Sequence, residues 1–265
     1  MIRRIRHKAG VFLIVLLLAL LHAVPRLPLQ SQYKTNPGQQ FASPDSHFLL
    51  GSDHLGRDLF SRLLWGMRTT VMVAAVACIL AVSCGIILGT FAGLTDGWWS
   101  IATDMPLSVM LAFPGILFAL IIVDVWGRGW MQIAVAIGLS LLPVYARTVR
   151  SAVISIRQEV YFEASRAFGA DFKDLILLHI FPYLRATTMS EIVTLSIWAI
   201  SAVVALEYLG MGDNPAESSL GRLILEGRAY IHIAPSLIII PTIVLVICLL
   251  LLSAFGANYS LTRSK

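Results

Sequence analysis

Charge is scarce in this chain. Lys, Arg, Asp and Glu make up 13% of 265 residues, against about 25% in an ordinary soluble domain. Apolar side chains make up 57% and mean hydropathy is +0.80, so the chain belongs in a bilayer. Cysteine is also scarce and odd in number: Cys78, Cys84 and Cys248 all sit in apolar runs. That excludes a disulfide framework or a thiolate metal site and leaves them as packing residues. There is no G-x-x-x-x-G-K-[ST] to cradle nucleotide phosphates, no H-E-x-x-H and no G-x-S-x-G. No catalytic residue is assigned on these grounds. Repeats, low-complexity tracts and heptads are absent too, and no stretch could fold alone as a soluble domain. Net charge of +5 does not point to nucleic acid. The positive residues gather at Arg3, Arg4, Arg6 and Lys8 and around 157–182, where a membrane protein places charge facing the cytoplasm.

Apolar runs long enough for a hydrocarbon core of about 30 Å lie near 9–24, 69–94, 101–123, 130–146, 186–209 and 236–255. These predict an all-α polytopic membrane protein of six spans. The first resembles a signal peptide, but the cleavage pattern at His22-Ala23-Val24 is poor, so it is read as a retained span. Pro106 and Pro114 predict a kinked or broken third span. Placing both termini in the cytoplasm puts twelve Lys and Arg inside and eight outside. Five of those eight fall in one long loop, 25–68, which dilutes their weight. The expected layout is an N-terminal span (1–25), an external loop (26–68), a core (69–257) and a cytoplasmic tail (258–265).

Within the core, RQEVYFEASRAFGADFKDLILLHIFP (157–182) interrupts the apolar sequence. Val160, Ala164, Ala167 and Phe168 fall on one helical face. Gly169 supplies a left-handed helix end, and Asp171 is a candidate N-cap for a second helix, with Asp174 at its positive end. Phe172, Leu175, Ile176 and His179 form the next stripe, and Pro182 closes the unit. Such a hairpin either docks into another protein or lies on lipid headgroups.

Glu163-Ala164-Ser165, three residues, Gly169, and then His179-Ile180-Phe181-Pro182 resemble the EAA loop of inner-membrane permeases of binding-protein-dependent ABC importers. Ser165 stands for the usual second alanine and Phe181 for the usual leucine. Four more segments are similar to the C-type permease of the dipeptide, oligopeptide and nickel branch: GSDHLGRDLFSRLLWGMR (51–68), MLAFPGILFALIIV (110–123), IGLSLLPVYARTVRSAVISIR (137–157) and ALEYLGMGDNPAESSLGRLI (205–224). The resemblance covers nearly all of 43–257. It implies a type I ABC importer permease core forming half of a translocation pathway in the bacterial inner membrane. The implied partners are a homologous B-type permease, two cytoplasmic P-loop ATPases that carry ATP and Mg, and an extracytoplasmic substrate-binding protein. This chain itself would bind no cofactor. The 157–182 loop would be the ATPase-coupling helix, through Glu163, Ala164, Ser165, Gly169, Asp171, His179 and Pro182. Glu163 would contact the ATPase groove or anchor the hairpin to Arg166. Short peptides are the expected solute; nickel or a metal chelate is the alternative within the class. An ion-driven secondary transporter or channel is the alternative outside it, but the inverted repeat such proteins show is not evident. An intramembrane enzyme would need a nucleophile or metal set.

Charge at membrane depth costs several kcal/mol unless it faces a partner or water, which makes Asp104, Glu191 and Glu207 candidate pathway residues. His22 is ionisable in the same way. Leu209-Gly210-Met211-Gly212, followed by Pro215, should end the fifth span and shape an outer-gate turn. Gly85, Gly89 and Gly93 have the spacing for close helix packing, within the chain or across to a second subunit. In the 26–68 loop, Arg57 to Arg68 has Phe60, Leu63, Leu64 and Met67 on one face, between Arg62 and Arg68. This reads as an interfacial amphipathic helix. Asp45 and Asp53 are expected to cap turns and His47 and His54 to be solvated; their spacing, with Asp58, fits no regular metal site.

Overall fold

The computed structural model describes residues 23–27, 29–212 and 217–261. The expected first span, apart from its last two residues, and Pro215 lie outside them. From Leu59 onward the described residues are helical almost throughout: α1 (Leu59–Leu94), α2 (Trp98–Ala112), α3 (Gly115–Trp126), α4 (Trp130–Arg157), α5 (Val160–Ala167), α6 (Phe172–Asp174), α7 (Phe181–Tyr208), α8 (Leu220–Arg228) and α9 (Ser236–Leu261). Four of these are long and apolar enough to cross a membrane: Leu59–Leu94, Trp130–Arg157, Glu191–Tyr208 and Ser236–Gly256.

α2 and α3 together form the fifth crossing, bent by 93° at the break. Pro106 is absorbed inside α2. Pro114 is not: it takes an extended ψ of 123° and starts α3 afresh. A helix cannot continue through the residue preceding a proline without strain, and Phe113 is accordingly extended.

The core is built on α1 against α4. A Cβ on Gly85 would meet Tyr145, one on Gly89 would lie 2.4 Å from Ala146 O, and one on Gly93 would lie 2.7 Å from Val153 Cβ. Contacts advance together along both helices, so the two run parallel, and the bent α2–α3 pair provides the return crossing between them. The glycine stripe thus packs within the chain, one of the two uses its spacing allowed. Around this seam Val73, Ala77, Ala134, Ile137, Ala199, Ile200, Val203 and Leu206 are buried in one cluster.

Two expectations need correction. Residues 57–68 do not form a separate interfacial helix. From Leu59 they are the first turns of α1, whose 36 residues reach about 54 Å at 1.5 Å per residue. Leu59, Leu63 and Arg62 are buried there rather than lying on a lipid surface. The fourth apolar run also continues well past 146, to Arg157, with Pro143 inside it.

Candidate functional site

The EAA-like segment folds as a hairpin with a sharp corner. α5 ends at Phe168, and Gly169 follows at φ 81°. Ala170 N donates to Ser165 O and Gly169 N to Arg166 O, each at 3.0 Å, the paired bonds of a Schellman motif. Phe162 is buried beneath the corner against the His179 ring, 6.1 Å away, and Tyr161 lies 5.5 Å from the same ring. Ser165 Oγ donates to Tyr161 O at 2.9 Å and meets His179 Nε2 at 3.0 Å. Its single hydrogen already being used, the hydroxyl accepts from Nε2–H. Ser165 and His179 therefore close the hairpin together. Val160, Ala164, Ala167 and Phe168 all face outward, Phe168 at 92% exposure.

The second arm differs from expectation. Pro182 does not close it. α6 passes into a π-helical turn, Leu175–Ile180, in which Phe181 N reaches back to Ile176 O, and this runs without a break into α7. Pro182 is the second residue of α7, immediately after the widened turn. The wider turn changes the pitch, so Leu175, Ile180 and Leu184 are buried, while Leu177 and Leu178 are exposed. Asp171 is exposed, and its carbonyl accepts from Leu175 N at 3.0 Å. Beside the hairpin is a cleft of about 370 Å³ bordered by Glu163, Arg166, Arg150, Arg157 and Asp96. Arg157 holds Asp96 bidentately at 2.7 and 3.1 Å and donates to Gly93 O at 2.9 Å. The hydrogen bonds and positive charge of Arg157 hold the Asp96 carboxyl below its usual range.

At the opposite end, α7 finishes in a second corner of the same design. Gly210 stands at φ 81°, with Met211 N bonded to Leu206 O at 3.1 Å and Gly210 N to Glu207 O at 3.0 Å. The chain returns to α8, which is capped by Ser219 Oγ accepting from Arg222 N at 3.2 Å. α8 packs so closely on α7 that a Cβ on Gly221 would lie 2.3 Å from Val204 O. Glu207, in the last turn of α7, is buried there.

Residues 85–260 match the family described as binding-protein-dependent transport system inner membrane component. The chain belongs to this family. The permease is 30% identical over 251 residues to the glutathione transport system permease protein GsiD of Pectobacterium atrosepticum, covering 94% of this chain and 82% of that one. It is 31% identical over 232 residues to the dipeptide transport system permease protein DppC of Alkalihalophilus pseudofirmus, covering 88% and 76%. Its fold matches the crystal structure of an amino acid ABC transporter with histidines at a TM-score of 0.59 and 13% identity, over 76% of this chain and 93% of that one. GsiD and DppC are C-type permeases of the peptide family, and the permease is a transport subunit of the inner membrane.

Two pathway candidates acquire definite surroundings. Asp104 is ion-paired to Arg150 at 3.0 Å, tying α2 to α4. Glu191 is half-buried in α7, one turn beyond Thr188, whose Oγ1 meets Tyr145 OH at 2.6 Å. Sequence reasoning missed the strongest polar feature of the permease, a buried ion cluster at the Gly210 end. Arg62 Nη1 lies 2.6 Å from Asp53 Oδ2 and 2.8 Å from Glu226 Oε2; Arg57 bonds the same oxygens at 2.6 and 3.0 Å. Arg222 flanks Glu226 at 3.2 Å. Burial raises the Asp53 and Glu226 carboxyls, but the Arg57 amide acting on Asp53, and Arg62 and its neighbours acting on both, prevail and leave them below their usual range. Asp53 does cap a turn as expected, accepting from Leu55 N and Arg57 N, and Asp45 accepts from His47 N and Phe48 N. His54 is not simply solvated: it stacks on Tyr230 at 4.9 Å. It also stands near Asp53 and Glu226, but two guanidinium groups already occupy the side of those carboxylates that a cation would need.

Proposed function

We propose that this chain forms one half of the translocation pathway of an ATP-driven importer of short peptides, and that hairpin 157–182 seats in a partner ATPase. The observation that carries the coupling role is the outward apolar face of the hairpin. Phe168, Val160, Leu177 and Leu178 are exposed on a segment ringed by Glu163, Arg166 and Lys173. Large exposed apolar groups among charges suit a protein groove. In this reading the hairpin end is cytoplasmic, as are both termini, and the Gly210 end faces the extracytoplasmic binding protein. A homologous B-type permease completes the pathway, and two P-loop ATPases hold ATP and Mg. Glutathione and dipeptide are named for the two relatives above, which supports peptides as the solute here.

The mechanical argument follows from continuity. Because α6, the π-helical turn and α7 form one uninterrupted helical rod, force on the hairpin is delivered directly to a spanning helix. The Ser165–His179 bond keeps α5 from peeling off that rod. Phe168→Asp tests the assignment: the chain should insert and remain folded, since the residue touches little of it, while co-purification of the ATPase and peptide uptake are lost. Undiminished ATPase capture by Phe168→Asp and by Leu177→Asp together would refute the docking face.

A further inference from the structure

α2 is scarcely embedded in the fold. Of its 15 residues only Leu107 is buried, wedged among Leu142, Ala146, Cys84 and Leu88. Trp98, Ile101, Met105 and Val109 are each more than half exposed. Beyond that one apolar peg, α2 is fastened by polar bonds that come from a single helix. Arg147, Arg150 and Arg157 share a face of α4, within about 80° of one another at roughly 100° per residue. Arg147 Nη2 donates to Ser108 Oγ at 2.7 Å. Arg150 reaches Asp104 Oδ1 at 3.0 Å and Ser100 Oγ at 3.2 Å. Arg157 holds Asp96 and the Gly93 carbonyl, just ahead of α2. Later arginines of α4 meet earlier points of 93–108, so they stand as rungs between two antiparallel elements.

We infer that α2 is a hinged arm pivoting at 113–114, and that Arg147, Arg150 and Arg157 are the positioning residues that make it follow the cytoplasmic end of α4. The arm rests on the importer reading above and names what the coupling hairpin moves. Three observations carry it. The rungs do not cross a packed seam: Asp96, Ser100, Arg150 and Arg157 border the open cleft of about 370 Å³, which leaves the arm room to swing. The far end is a joint, where Phe113 is extended, Pro114 restarts the helix and the axis turns by 93°; a proline has no N–H with which to stiffen it. α3 beyond the joint is held independently, by Ser140 Oγ donating to Gly115 O at 3.1 Å and by the buried Ala119 and Val123. α4 leads into α5 through Gln158 and Glu159 alone, so a displaced hairpin displaces the arginines. Asp96 is 80% exposed, and such a pair is weak singly. Shared over three rungs, the load is carried by contacts that each break and re-form.

The test uses the complete complex of permeases and ATPases, with Cys78, Cys84 and Cys248 of this chain replaced by alanine and pairs of spin labels at exposed positions. Ile101 on α2, Val125 on α3 and Ile154 on α4 are suitable sites. In lipid nanodiscs, trapping with ATP and vanadate should leave the Ile101–Ile154 distance constant and shift the Ile101–Val125 distance. Arg150→Ala should broaden the Ile101–Ile154 distribution while co-purification of the ATPase is unchanged. In proteoliposomes, its uptake of labelled glycylglycine per ATP hydrolysed should fall about ten-fold, the effect of losing one hydrogen bond to a charged group. Exchanging the partners, Arg150→Asp with Asp104→Arg, should restore both, which a general loss of stability would not allow. A constant Ile101–Val125 distance, or an Ile101–Ile154 distance that shifts as much, overturns the arm, and this holds even if the arginine variants fail to assemble. So does an Arg150→Ala complex with a narrow distribution and undiminished uptake per ATP. Stimulation of ATP hydrolysis by the binding protein separates the two readings. Normal stimulation with a rigid joint sinks the arm alone, whereas no stimulation in the unaltered complex sinks the importer reading.

Discussion

Replacing Arg62 with alanine should unfasten α8 from the start of α1. Arg62 is 1% exposed, and its Nη1 alone serves Asp53 at 2.6 Å and Glu226 at 2.8 Å, while Nε reaches Ser218 Oγ at 3.2 Å. Breaking a buried pair by removing one partner costs about 3–5 kcal/mol, because the remaining charge is stranded. Here both carboxylates keep Arg57, so the lower end applies, about 3 kcal/mol, or roughly a hundredfold in the open-to-closed ratio of the joint. The loss is local, since the cluster joins α1 only to the loop before it and to α8. Amide hydrogen exchange is the suitable assay. In Arg62→Ala, amides of 222–228 should exchange roughly a hundred times faster, with the α4 amides near Ala146 unchanged. Arg62→Lys should fall between, since a single ammonium cannot span two carboxylates as a guanidinium fork does. Exchange in α8 no faster than in the unaltered protein would show that Arg57 suffices and that the reasoning about Arg62 is wrong.

Gly89→Ala should lower the thermal midpoint, because its Cβ would fall 2.4 Å from Ala146 O and 2.7 Å from Val149 Cβ; overpacking of this kind costs about 1–3 kcal/mol. Ile87→Ala, at a position facing outward on the same helix, is the control and should change little. Gly169→Asp should leave insertion intact and abolish uptake. No atom lies near its Cβ, so the penalty comes from φ 81° alone, about 1 kcal/mol. Gly169→Asn, which tolerates that conformation better, should retain more uptake in the same assay, and Glu163→Ala should impair it less than Gly169→Asp. Acid should loosen the α8 joint. Asp53 and Glu226 titrate below their ordinary values of 3.8 and 4.5. Their contribution is therefore complete above about pH 5 and is lost as pH falls through the depressed values. Exchange in α8 should be flat from neutral pH to about 5 after correction for intrinsic rates, and rise below it. A rise on going alkaline would contradict the ion cluster.

Hydropathy alone located the crossings from 69 onward to within a turn or so at most ends, because lipid admits only closed hydrogen-bonded helices of sufficient length. The left-handed corner at Gly169 and the helix end at Gly210 were legible for a local reason, a glycine followed by sequence unable to continue the same helix. The boundary at 68 was misplaced because Arg57, Arg62 and Arg68 look like surface charge to any short window. The carboxylate that neutralises Arg62 from α8 lies 164 positions later in the chain, beyond the reach of any local pattern. Pro182 misled for a related reason. A proline after an apolar run reads as a stop, but the π-helical turn before it, with Leu175 and Ile180 packed into the core, carries the helix through. That turn is set by tertiary packing and leaves no local signature.

The widened turn at 175–180 also fixes angular phase between the parts it joins. Each residue of an ordinary α-helix advances the azimuth by about 100°, so a π-helical turn is equivalent to one residue inserted without lengthening the rod in proportion. Deleting any one residue from Leu175 to Ile180 would let the segment relax to regular pitch. Every side chain of the hairpin would then point about 100° away from its present bearing relative to α7. Composition, hydropathy and length would scarcely change, yet Phe168 would face a different quarter of the compass from Trp198. A homologue differing only by that one gap would share the same crossings and present its lever to a differently placed socket.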